Sequence, residues 1–151
     1  TTKHRIDLTF HKLEKKINKV IDEYDKNKGM TIGLSKDLGI ITHYIADYFT
    51  FPHNIEYPGT MTEHIHYEAQ LKVDFREFVQ KMKEKHAHFQ EVNMQSADEI
   101  CTFIRKCHEE YLHAVKSVEN DCRYILQICA QVVGAILHLL QQNSMPLGCY
   151  M

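Results

Sequence analysis

From about residue 121 to 142 the chain is apolar on nearly every side. Over 125–140, Ile125, Leu126, Ile128, Val132, Val133, Ile136, Leu137, Leu139 and Leu140 leave only Gln127, Gln131 and His138 as polar interruptions. A helix of this kind has no solvent face to offer, so other helices or lipid must cover it. Its apolar run falls short of the roughly 20 residues that cross a bilayer. The expectation is the central buried helix of a bundle, with no transmembrane segment.

Four further segments can provide that cover. Phe10, Leu13, Ile17, Val20, Ile21 and Tyr24 recur at three- and four-residue steps, which predicts an amphipathic helix over about 6–26, closed by Lys26-Asn27-Lys28-Gly29. A second helix over about 31–50 turns Leu34, Leu38, Ile41, Ile45 and Phe49 inward and is stopped by Pro52. After a loop with Pro58-Gly59, Thr60-Met61-Thr62-Glu63 has the form of a capping box and opens a third helix that runs to about 85. A second such box, Ser96-Ala97-Asp98-Glu99, opens a fourth that ends near 118, and the tail from Asn143 to Met151 reads as loop. There are no internal repeats. The expected architecture is all-α, one domain over 1–151, a bundle of about five helices.

A chain of 151 residues can bury roughly 70% of its unfolded surface, so it needs no metal or disulfide merely to stay folded. Its net charge of −2 gives no basic stripe for a phosphate backbone, so no stable nucleic-acid partner is expected. Five cysteines, at 101, 107, 122, 129 and 149, include no CxxC pair, which argues against a disulfide framework and a zinc ribbon. Free, buried thiols favour a reducing compartment such as the cytoplasm, with secretion still open. The 11 histidines stand out more, because neutral imidazole is a metal ligand near physiological pH.

The histidines that matter sit between residues 43 and 68. His43 and Asp47 are four apart on the second helix and share a face. On its own such a pair is usually a plain hydrogen bond or ion pair. His53 follows just past that helix, fixed by Pro52, and the third helix opens with His64 and Glu68, again four apart. Two histidine–carboxylate pairs on successive helices, with a histidine between them, gather five nitrogen and oxygen donors in a short span. That donor set suits zinc, with iron also open.

The order His-x3-Asp-x5-His, about ten residues, then His-x3-Glu resembles the zinc-dependent phospholipase C family, whose fold is shared with S1/P1-type nucleases. The text Leu38-Gly39-Ile40-Ile41-Thr42-His43-Tyr44-Ile45-Ala46-Asp47 is similar to that family's buried ligand helix. The resemblance is convincing over about 2–85. It implies that His53, His64 and Glu68 bind one zinc, and that His43 and Asp47 help bind a second, with Asp47 also reaching toward a third. His4, in Thr2-Lys3-His4, stands where the family puts another ligand of the second ion. Up to three zinc ions occur in the family, and two are expected here. The implied activity is phosphodiester hydrolysis, phospholipase C-like, by a hydroxide bridging two zinc ions, on a phospholipid or other phosphodiester. Further family ligands come from upstream of His4, so either an N-terminal segment is missing or the site is reduced. No catalytic residue beyond the ligands is assigned.

Other readings compete. His11 could stand in as a ligand, but its position reads as an exposed face. Tyr44, Tyr48, Phe49, Phe51, Tyr57 and Tyr67 surround the donors and either line a pocket for a choline-like cation or form core. His66 faces away from His64, and His86 and His88 decorate a helix end. Glu63-x-x-His66 and Glu110-x-x-His113 meet half the requirement of a di-iron bundle. That reading leaves His43, Asp47 and His53 unexplained. A non-catalytic helical metal-binding or interaction module is the remaining alternative.

Overall fold

A computed structural model describes residues 4–54 and 57–144 of the chain. Among these residues there are five α-helices and no strand: α1 (Ile6–Asp22), α2 (Ile32–Tyr48), α3 (Met61–Glu84), α4 (Ala97–Leu112) and α5 (Val118–Ser144). A single 3-10 turn, Phe51–His53, joins α2 to the loop before α3. The all-α expectation holds, with the helices in the anticipated order.

α5 organises the rest, since α1, α2, α3 and α4 all touch it. Cys122, Ile125, Ile128, Val132, Ile136, Leu139 and Leu140 are buried along it, against Leu13 and Ile17 of α1, Ile41 and Ile45 of α2 and Ile100 and Ile104 of α4. It is not covered all round: Arg123, Ala130, Gly134 and His138 lie along an exposed stripe. Its length also corrects an expectation, because the stretch Val118–Asn143 is long and apolar enough to cross a membrane by length and composition alone. A cleft of about 380 Å³ between residues 88–94 and this helix shares no residue with the donors considered below.

Three boundaries differ from the periodicity. α1 ends at Asp22 rather than near 26, because Asp25 accepts the Asn27 amide through its side chain and Gly29 takes a φ of 59°. That left-handed conformation closes a turn which glycine adopts without penalty. α4 stops at Leu112 rather than near 118, where the Tyr111 carbonyl accepts both the Ala114 amide and Lys116 Nζ. α5 then starts at Val118, with the Ser117 hydroxyl accepting the Asn120 amide.

The α3 capping box forms in full: the Thr60 side chain accepts the Glu63 amide and Glu63 accepts the Thr60 amide. At α4 only half forms, for Glu99 reaches the Gln95 amide instead of the Ser96 amide. Cys101 and Cys122 are buried, Cys107 and Cys129 half-buried, and all four are free thiols. Burial pushes the thiols of Cys101, Cys107 and Cys122 up to about 11. Cys149 and most of the tail expected as loop lie outside the described residues.

Candidate metal centre

α2, the 3-10 turn and α3 carry five of the six candidate ligands, and the segment before α1 carries the sixth. Thr31 caps α2 through its side chain, and the helix then runs unbroken to Tyr48, putting His43 and Asp47 one turn apart. Pro52 occupies the first turn of the Phe51–His53 segment, where its fixed φ helps hold the bend. His53 is thereby turned back toward α3, which begins eight residues later at Met61.

Two groups of donors result. In the first, His53 Nε2 lies 2.5 Å and His64 Nε2 lies 2.9 Å from the same oxygen, Glu68 Oε1. The two imidazole rings are 5.2 Å apart, and both histidine side chains are almost wholly buried. In the second, His43 Nε2 lies 3.5 Å from Asp47 Oδ2, and the His4 amide donates to that same oxygen at 3.3 Å. The His4 and His43 rings meet edge to face at 5.3 Å. Within each group the potential ligand atoms all lie within 4.8 Å of one another.

His53 joins the groups. Its Nδ1 faces Asp47 Oδ1 at 3.4 Å without making a hydrogen bond, and it is a buried polar atom with no partner. Burial works against a charged His53 ring, yet Asp47 and Glu68 on its two sides outweigh burial and raise its pKa. Burial likewise pushes Glu68 up, and the two histidines outweigh it and hold its carboxyl below the usual range. His4 is shifted down, chiefly by burial, and its buried Nδ1 also lacks a partner.

These residues fit zinc. Ligand atoms about 2.0–2.1 Å from a tetrahedral ion stand roughly 3.3 Å apart, inside the spread of each group. The buried His4 Nδ1, which has no hydrogen-bond partner, is what an ion would satisfy. The second group offers fewer buried donors, because the His43 side chain is 55% exposed.

The sequence profile of the family described as zinc dependent phospholipase C matches residues 1–121. The chain belongs to the zinc-dependent phospholipase C family. The match extends well past residue 85, where the resemblance read from motifs stops, through α4 to the first turn of α5. No significant match is found among curated proteins or among solved structures.

The remaining candidates fall elsewhere. His11, His66, His86 and His88 are exposed. Glu63 is committed to capping α3, and Glu110 and His113 are exposed at the end of α4, so the pairs invoked for a di-iron bundle do not converge. Tyr48 and Phe49 are core. Phe51, Tyr57 and Tyr67 are half-buried, with Tyr57 edge-on to His64 at 6.0 Å.

Motif reading missed the polar residues behind the donors. Asp121 is fully buried in the first turn of α5. Its Oδ2 accepts the Phe51 amide at 2.8 Å and the Tyr67 hydroxyl at 2.7 Å, while Oδ1 accepts the Tyr111 hydroxyl at 2.7 Å. Burial pushes this carboxyl up against those three hydrogen bonds, and burial also raises both tyrosine hydroxyls. Beside it, Asn54 donates to the Tyr48 and Thr50 carbonyls and pairs through Oδ1 with buried His108 at 2.8 Å. The only sequence signal was an acidic residue beside the apolar stripe of α5.

Proposed function

We propose that the chain is a zinc-dependent phosphodiester hydrolase of the phospholipase C type, with His53, His64 and Glu68 holding one ion and His4, His43 and Asp47 a second. The observation that carries this reading is His53 facing Glu68 through Nε2 and Asp47 through Nδ1, which sets two three-donor groups side by side. Zinc bound between such donors supplies a Lewis acid that acidifies water and neutralises charge developing on phosphoryl oxygens.

The chain's own residues do the rest. Glu68 Oε1 fixes the orientation of two buried imidazoles, and Asp47 presents one oxygen to each group. Neutral histidines among only two carboxylates keep bound cations electrophilic. His43 and Glu68 have exposed side chains whereas His53 and His64 do not. Substrate therefore approaches across His43 and Glu68, over a floor made by α2 and α3. A phospholipid headgroup is the substrate class that the family favours, with other phosphodiesters of similar size as alternatives.

The test is a zinc-loaded preparation assayed on a chromogenic phosphocholine ester, with and without chelator. Turnover that chelation abolishes and zinc restores is the expected result. A protein that carries its zinc and cleaves neither this ester, a phospholipid nor a nucleic acid would be a metal-binding module, and the enzymatic reading would be wrong.

A further inference from the structure

We propose that Asp121 is a positioning residue for the first donor group, fixing the 3-10 turn that carries His53 and the helix that carries Glu68 relative to each other. This rests on the reading that His53, His64 and Glu68 bind zinc.

The two sides of that group come from different pieces of chain. His53 ends a three-residue turn that Asn54 ties back to the end of α2 through the Tyr48 and Thr50 carbonyls. His64 and Glu68 ride on α3. One buried oxygen, Asp121 Oδ2, accepts from both pieces: from the Phe51 amide, two residues before His53, and from the Tyr67 hydroxyl, next to Glu68. The other oxygen accepts from Tyr111 of α4, which aims the carboxylate. Asp121 lies in the first turn of α5, where the partial positive charge of the helix end favours an acidic side chain.

The carboxylate is thus a rigid post, anchored on one oxygen and gripping both halves of the donor group with the other. Its chemistry is specific. An amide and a phenol both donate, so the post must accept twice at one atom. Asparagine in its place can keep both grips, its carbonyl toward the Phe51 amide and Tyr67 and its NH₂ toward the Tyr111 hydroxyl, whereas leucine keeps the shape and accepts nothing. Partners that bond a metal ligand directly typically matter by about 10–100-fold in affinity, and Asp121, which bonds the neighbours of ligands, belongs at the low end of that range.

The arrangement predicts a dissociation that a merely structural role would not produce. Tyr67→Phe and Tyr111→Phe each delete one phenol bond to Asp121. Tyr111 is fully buried in the core and Tyr67 is not, so Tyr111→Phe should cost more in denaturant stability of the zinc-free protein. Tyr67 grips the donor side and Tyr111 does not, so Tyr67→Phe should weaken zinc binding more.

The measurement is zinc affinity of the full chain by competition with a chromophoric chelator, alongside urea unfolding of the zinc-free form. Asp121→Leu should weaken zinc binding at the first donor group about tenfold, and Tyr67→Phe severalfold, with Tyr111→Phe near wild type. Wild-type affinity in Asp121→Leu, or zinc losses that simply follow the stability losses, would overturn the proposal. Should Asp121→Leu fail to fold, the ranking of the two tyrosine variants decides alone. If the wild-type chain binds no zinc, the metal reading itself fails, and that outcome is distinct from a variant that binds as well as wild type.

Discussion

The group of His53, His64 and Glu68 and the group of His4, His43 and Asp47 use the same ligand chemistry, but the fold has organised them to different degrees. In the first, two buried imidazoles converge on one carboxylate oxygen within 2.9 Å, and buried polar anchors hold the backbone behind them. In the second, the shortest side-chain approach is 3.5 Å, between His43 and Asp47, and His43 projects into solvent. Preorganisation lowers the cost of ordering ligands around an ion. The first group should therefore be the high-affinity site and the second the exchangeable one.

The sharpest way to break this contrast is Glu68→Ala. It removes the atom on which both histidines converge, and zinc affinity at the first group should fall at least about hundredfold, equivalent to roughly 2.7 kcal/mol. Helical circular dichroism should stay near wild type, since the Glu68 side chain is 41% exposed. His53→Ala should likewise strip one zinc. Unfolding by either change would show that the site is structural. Next in size is the effect of the metal itself. Free zinc at about 100 times its dissociation constant should add roughly 2.7 kcal/mol to the folded state, a rise of about 5–10 °C in melting temperature for a chain of this length. An unchanged melting curve on chelation would remove the distinction between the groups altogether.

The helices were legible because helix periodicity is local: Leu13, Ile17, Ile41, Ile45, Val132 and Ile136, read inward from spacing, are all fully buried. The ends were less so. Periodicity cannot see that Asp25 folds onto the Asn27 amide or that Lys116 reaches the Tyr111 carbonyl, and these contacts end α1 and α4 early. The donors were legible because their spacing is also local, within α2, one turn and α3. The residues behind them were not. The partners of Asp121 stand at 51, 67 and 111, on three different elements, and from sequence an aspartate in a first helical turn is an ordinary dipole-compatible residue. Only the packing of α5 against α3 and the turn makes it a convergence point.

His43→Ala tests the weaker partner in the comparison. Losing one donor from an incompletely formed, solvent-facing group should weaken binding of the second ion about tenfold, or roughly 1.4 kcal/mol, and leave the first ion in place. Metal quantitation after dialysis should then find one zinc retained per chain in His43→Ala, and loss of the tighter ion in Glu68→Ala. Phosphodiesterase activity should fall in both, because the proposed chemistry uses both groups. Loss of both ions from His43→Ala would mean that the groups bind as one unit through His53 and that their apparent independence is wrong.

The smallest effect lies at the start of α3, where the first group gains its order. The Thr60 hydroxyl accepts the Glu63 amide, and Glu63 returns the bond to the Thr60 amide, fixing the first turn of the helix at the position of His64. Thr60→Ala removes one half of that box at a cost of about 1 kcal/mol, or about 2–4 °C in melting temperature. Because His64 Nε2 is also tied to Glu68 one turn further on, fraying of the first turn should reach the ligands only in attenuated form. Zinc affinity should then drop by less than the roughly fivefold that 1 kcal/mol represents. A loss of affinity equal to or greater than the loss of stability would show that the cap, rather than the histidine–glutamate contact, sets the orientation of His64. The first group would then owe its order to the helix terminus as well as to its buried anchors.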